Sequence, residues 1–242
     1  MDKKYVLKNS DALLIIDIQN DFLPGGALPI DKGDKIILVI NEYIRLFEDA
    51  KAHILASRDW HPSNHMSFKK FGGLWPSHCV QQTEGARFSP NLKLPAHTIM
   101  ISKATDTERE AYSAFDGTNL VHELRTLCVK RVFAGGLATD YCVVNTVLDA
   151  CKLGFETIVL IDATWGINAN PGDVSRAIET MVKNGAQQAV ADDFMEAVDA
   201  LPIQEAEPDL LEEKPSKRAE GKKKARMRSK GSTKRIRTER KS

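Results

Sequence analysis

The sequence predicts an α/β fold, a mostly parallel sheet covered by helices on both faces, and three observations predict it. Short apolar runs of strand length alternate with segments whose apolar residues recur at helical spacing. The runs are apolar throughout, as strands buried on both faces must be. Four of them lead into a reactive side chain: ALLIIDIQNDF into Asp17, HILASRDWHP into Asp59 and His61, TIMISKA into Lys103, and RVFAGGLATDYC into Cys142. A parallel sheet gathers the residues just past its strand ends along one edge, where ligands bind.

The elements follow in order. ALLIID is a buried-strand run, and Ile36, Ile40, Tyr43 and Phe47 then recur on one helical face. HILAS is the second strand. The segment from His61 to Ala96 is rich in Gly, Pro and Trp and has little periodicity; a connection of that length is more often a functional insertion than an idle loop. TIMIS is the third strand, and NLVHELRTL places Leu120, Val121, Leu124 and Leu127 on one helical face. The strand RVFAG, the helix DYCVVNTVLDACKLG closed by Gly154, the strand TIVLI and the helix DVSRAIETMVKNG closed by Gly185 come next. QAV and a last short helix complete the series.

With 242 residues, 42% of them hydrophobic, the chain can bury one sizeable core. No run of about 18 apolar residues occurs, so no membrane span is expected, and the N-terminus MDKKYVLKNSD lacks the apolar stretch of a signal peptide. The four cysteines, at 79, 128, 142 and 151, show no disulfide framework, which fits a reducing compartment. A cytoplasmic protein is expected. The formal charge of +1 hides a division: residues 214–242 hold 14 of the 34 Lys and Arg but only Glu220 and Glu239 of the 33 acids, leaving the tail at +12 and the remainder at −11. Residues 202–242, acidic and then basic with few apolar side chains, are expected to be a disordered tail on a domain of residues 1–201. The tail has the charge density of a weak, non-specific nucleic-acid-binding or, in a eukaryote, nuclear-import segment; a solvated extension is the equal alternative.

Cys142 follows a strand and a glycine pair and falls at a predicted helix start, where backbone N–H groups and the helix dipole lower a thiol pKa and stabilise an oxyanion. An unreactive buried helix cysteine is the plainer reading, and it is the one expected for Cys128 and Cys151. Asp17 stands after four apolar residues, where an unpaired carboxylate is costly; it is read as a base or a buried ion-pair member. Lys103 also ends an apolar strand, and beside Asp17 and Cys142 it would favour both as anions. Asp59-Trp60-His61 sets two metal-type ligands two residues apart, with His65 and His78 close in sequence.

The runs IIDIQNDFLPGGAL, SRDWHPSNHMSF, LWPSHCVQQTEGA, AYSAFDGT after Lys103, and GLATDYCV, spread over residues 11–190, resemble the nicotinamidases of the isochorismatase-like cysteine hydrolase superfamily. The resemblance implies a triad of Asp17, Lys103 and Cys142, an oxyanion hole from the N–H groups of Ala138 and Cys142 beside a cis Leu137-Ala138 peptide, and ring-holding aromatics Phe22, Trp75 and Tyr112. It implies one divalent ion on Asp59, His61 and His78, with His65 a ligand in some relatives; zinc comes first, then manganese, iron or magnesium. The implied reaction converts nicotinamide to nicotinate and ammonia through a thioester. Two other readings stay open: another amide or ureido hydrolase of this superfamily, and a non-enzymatic binding protein on the same scaffold. Self-association into a homo-oligomer is a further expectation.

Overall fold

The computed structural model describes residues 5–194. The expected boundary near Leu201 and the tail of residues 202–242 lie outside the described residues. Strands β1 (Asp11–Ile16), β2 (His53–Asp59), β3 (Ile99–Lys103), β4 (Arg131–Leu137), β5 (Glu156–Trp165) and β6 (Gln187–Ala189) form one sheet in the order β3-β2-β1-β4-β5-β6. Every neighbouring pair is parallel. Chain order reverses between β1 and β4, and at such a switch point the connections leave a crevice beyond the strand ends.

The apolar runs are explained by burial on both sides of the sheet. Leu13 and Ile15 of β1 face the helix α1 (Ile36–Asp49), whose Ile40, Tyr43 and Phe47 pack against them. Ala12, Leu14 and Ile16 face the opposite way, toward Leu120 and Leu124 of α2 (Leu120–Thr126), Val147 of α3 (Val144–Lys152) and Met181 of α4 (Asp173–Lys183). All five β1 side chains are fully buried, and each large one contributes about 1.5–3 kcal/mol of transfer free energy. At the amino end of the sheet, Arg131 grips Asp11 with two hydrogen bonds of 2.8 and 2.6 Å, tying β4 to β1 on the side away from the crevice.

Three expectations are corrected. The helix predicted to begin around Cys142 begins instead with a π-helical turn, Thr139–Val143, and becomes α-helical at Val144. β5 runs four residues past TIVLI, because after an irregularity between Ala134 and Gly136 the β4 ladder resumes with Gly136 beside Thr164 and Leu137 beside Trp165. Cys128 is exposed in the turn after α2 rather than buried in it. Of the last short helix, the described residues hold only a 3-10 turn, Ala191–Asp193. The long aperiodic segment folds back on the carboxyl edge through isolated pairings of His61 with Val80, Phe68 with Trp75, and Phe88 with Gln19.

Candidate active site

The register of the sheet decides which side chains meet. Asp59 lies directly beside Lys103, and Ile16 beside both Ser57 and Gly136, so the ends of β1, β2, β3 and β4 converge on one spot. Asp17 and Ala104 turn out of their strands with left-handed backbones, φ 51° in both. Gly136 is required where β1 and β4 close together: its φ is 135°, and a Cβ there would collide with the backbone of Ile16.

Lys103, 1% exposed, is the hub. Its Nζ stands 3.0 Å from Asp17 Oδ2 and 3.4 Å from Cys142 Sγ, donates to the Ala111 carbonyl at 3.1 Å, and pairs closely with Asp59 Oδ1. Ser57 Oγ donates to the other Asp17 oxygen at 2.7 Å. Burial pushes the Asp17 carboxyl up against the opposing pull of Lys103. Burial would raise Asp59 as well, but Lys103, then His61 and His78, hold it well below the usual carboxylate range. Burial works against the Lys103 charge, yet its two carboxylates outweigh this and raise its pKa.

The Cys142 thiol is pushed up by burial, more than Lys103 brings it down. This reverses the expectation of a thiolate favoured by a helix terminus. Burial raises both the thiol and the Asp17 carboxyl, so the carboxylate is made more basic, which suits proton transfer from Sγ to Asp17.

Of these three residues Cys142 alone lines a compact cavity of about 30 Å³, with Asp17 and Lys103 buried behind it. Its walls include Phe22, Asp59, His61, Trp75, His78, Tyr112, Ala138 and Cys142, all expected from the sequence, together with Leu28, Ile30, Glu110, Tyr141 and Ile167, which were not. The Leu137-Ala138 peptide is cis, as the resemblance implied. Trp75 Nε1 donates to Tyr112 Oη at 3.1 Å, and Tyr141 meets both rings, with centroids 5.3 Å from Trp75 and 5.8 Å from Tyr112. Tyr141 precedes Cys142 in the π-helical turn, and that adjacency is the signal that could have found it.

Donor atoms of Asp59, His61 and His78 lie within 4.8 Å of one another. His61 is 1% exposed, and neither of its ring nitrogens has a hydrogen-bond partner; Nε2 stands 3.5 Å from Asp59 Oδ2. His78 donates Nδ1–H to the Pro76 carbonyl at 2.8 Å, so its Nε2 lone pair points toward Asp59 Oδ2, 4.0 Å away. Burial holds the His78 imidazole neutral by lowering its pKa. Three buried donor groups this close, with both His61 nitrogens uncommitted among the described residues and Nε2 of His78 left free by its Nδ1–H bond, fit a divalent ion.

His65 is different. Its Nε2 meets the Arg109 carbonyl at 3.0 Å and must carry the hydrogen, while Nδ1 accepts from the Ser67 hydroxyl at 2.7 Å. Both nitrogens are used, although the ring is only 4.3 Å from that of His61.

The family model for the isochorismatase domain matches residues 11–193. Nicotinamidase of Escherichia coli is 38% identical over 196 residues, 72% of this chain and 92% of that protein. Among solved structures, pyrazinamidase of Pyrococcus horikoshii in complex with zinc is 52% identical, with a TM-score of 0.72 over 75% of this chain and 99% of that one. PnC1 from L. infantum in complex with nicotinate is 33% identical, with a TM-score of 0.73 over 78% and 98%.

Proposed function

This chain belongs to the isochorismatase family, and from that premise we propose that it is a metal-dependent cysteine amidohydrolase that converts nicotinamide to nicotinate and ammonia. The observation that carries the reading is the meeting of Asp17, Lys103 and Cys142 behind an aromatic-walled cavity, with Lys103 Nζ 3.0 Å from the carboxylate and 3.4 Å from the sulfur. Relatives named as nicotinamidases, and a neighbour that holds nicotinate, supply the substrate.

Sγ of Cys142 forms a bond to the carboxamide carbon while its proton passes to Asp17. Lys103 offsets the negative charge that then accumulates on the pair. The N–H groups of Ala138 and Cys142 are assigned to the carboxamide oxygen as it becomes an alkoxide. Collapse breaks the C–N bond, and Asp17 returns the proton so that ammonia leaves, with a thioester remaining on Cys142. Water then attacks the thioester carbon, Asp17 takes its proton, and nicotinate departs as sulfur regains it. Phe22, Trp75 and Tyr112, with Tyr141, sandwich a planar ring and keep its carboxamide against the sulfur. Asp59, His61 and His78 would hold one divalent ion, zinc first, whose chemistry is to take the pyridine nitrogen as a ligand and so orient the ring.

Among the described residues no helix is long and apolar enough to cross a membrane. A cytoplasmic enzyme is part of the proposal, and so is weak polyanion binding by the +12 tail, which rests on its charge alone. The deciding test is ammonia release from nicotinamide by the purified chain, before and after removal of divalent ions with a chelator. Turnover that stops on chelation and returns with Zn²⁺ supports the reading. No turnover in the metal-loaded chain sinks it, and turnover indifferent to chelation removes the ion from it.

A further inference from the structure

Alternate side chains of the run Asp17-Ile18-Gln19-Asn20-Asp21 reach three different partners: Asp17 meets Lys103, Gln19 meets Asp59 and Asp21 meets Cys79. Gln19, fully buried, uses its whole amide on neighbouring main chain. Its Oε1 accepts the Asp59 N–H at 2.8 Å, and its Nε2 donates to the Asp59 carbonyl at 2.8 Å and to the Ala86 carbonyl at 2.9 Å. A side chain thus pairs with both backbone groups of Asp59 as an adjacent strand would. Asp21 takes the Cys79 N–H at 2.7 Å on one oxygen and the Ala27 N–H at 3.1 Å on the other. Cys79 directly follows His78, has a left-handed backbone at φ 45°, and accepts the His61 N–H on its own carbonyl at 3.0 Å. Fixing Cys79 therefore fixes the backbone of both histidines.

We propose that Gln19 and Asp21 are positioning residues that preset the divalent-ion site, Gln19 through Asp59 and Asp21 through Cys79 to His61 and His78. The proposal rests on the divalent-ion reading above. Asp59, His61 and His78 come from two separate stretches, the end of β2 and the aperiodic segment after it, and no regular ladder spans them. Left to loop freedom, the two histidines would have to be ordered against Asp59 at the moment of binding, which weakens affinity. Ligand geometry held in advance by hydrogen-bonded neighbours removes that cost. Asp140 offers the matched comparison. Its carboxylate takes the N–H groups of Ile167 at 2.9 Å and Asn168 at 2.7 Å and so clamps a wall of the same cavity, but no hydrogen bond links it to Asp59, His61 or His78.

The test is Zn²⁺ affinity of the full-length chain, measured by competition with a chromogenic chelator, for Gln19→Leu, Asp21→Asn and Asp140→Asn. Gln19→Leu and Asp21→Asn are expected to bind Zn²⁺ about 10- to 100-fold more weakly, with kcat returning near that of the unmodified chain once Zn²⁺ is saturating. Asp140→Asn is expected to keep its Zn²⁺ affinity. Unchanged affinity in both Gln19→Leu and Asp21→Asn overturns the proposal, as does an equal loss in Asp140→Asn, which would mark general loosening, or a kcat that saturating Zn²⁺ does not restore. Should the circular dichroism of Gln19→Leu show an unfolded chain, the half-buried Asp21→Asn decides alone. An unmodified chain that binds no Zn²⁺ refutes the ion reading and this inference together, an outcome distinct from variants that merely match it.

Discussion

Burial pushes the Cys142 thiol up against the pull of Lys103, so in the proposed mechanism the carboxylate that receives its proton is as indispensable as the sulfur. Cys142→Ala is expected to abolish ammonia release with the melting temperature retained, whereas exposed Cys128→Ala and half-buried Cys151→Ala should turn over like the unmodified chain. Asp17→Asn should lose activity by orders of magnitude, since an amide neither takes the proton nor returns it. The same carboxyl makes stability depend on pH. Burial raises the Asp17 carboxyl above its unfolded value, so its favourable contribution is full below the unfolded pKa, about 3.9, and is lost as pH rises through the folded one. Melts of the parent against pH should show stability falling over that window, a fall absent from Asp17→Asn. The acid limb of turnover against pH should likewise sit above the ordinary carboxylate range. At the imidazoles, metal content of purified variants should fall by about 10- to 100-fold in affinity for His61→Ala and His78→Ala. His65→Ala should bind metal undiminished, because both of its nitrogens are already committed to Ser67 and Arg109; a matching loss there would make it a ligand.

The strands and α1 were legible because each is a local pattern: ALLIID and HILAS are apolar throughout, and Ile36, Ile40, Tyr43 and Phe47 share one helical face. The convergence of Asp17, Lys103 and Cys142, and of Asp59 with His61, was legible for a related reason, since a charge that follows an apolar strand has few places to go except the sheet edge. What escaped is tertiary in origin. The π-helical turn under Cys142 is braced by Thr139 Oγ1 against Thr164 Oγ1 at 2.8 Å and by Thr164 Oγ1 on the Gly136 carbonyl at 2.9 Å, and those bonds come from β5. Ser57 and Gln19 sit two residues from Asp59 and Asp17, and that spacing hinted at a shared face, but their partners lie across the sheet. Glu110 entered the cavity wall from a stretch with no periodicity to read. The tightest constraint on any element is Gly136, where β4 meets the backbone of Ile16. Gly136→Ala is expected to cost on the order of 3 kcal/mol or more, seen as a large fall in denaturation midpoint; a midpoint within error of the parent would mean that β1 and β4 tolerate separation.

For the whole chain the charge division is the first consequence to check. Every proposed site residue precedes position 143, so a chain ended at Leu201 should hydrolyse nicotinamide as the full chain does. If the +12 tail binds polyanions, only the full chain should retain DNA or RNA, with affinity falling steeply as salt rises. Salt-independent binding, or turnover lost on truncation, would refute a separable electrostatic appendage. The strand order carries a second consequence. Asp17, Asp59 and Lys103 belong to the β3-β2-β1 half of the sheet and Cys142 to the β4-β5-β6 half, and among the described residues the β1–β4 ladder, linking residues 11–16 to residues 131–136, is the one ladder between named strands of the two halves, with a lone bridge of Tyr5 to Phe194 beside it. Contacts so distant in sequence are expensive to close and close late. The base and the nucleophile are thus strangers until the seam forms, and a chain cut in the exposed turn at Cys128 would yield two inert fragments, each with half a reaction, whose recovered turnover on mixing would count reassembled sheets.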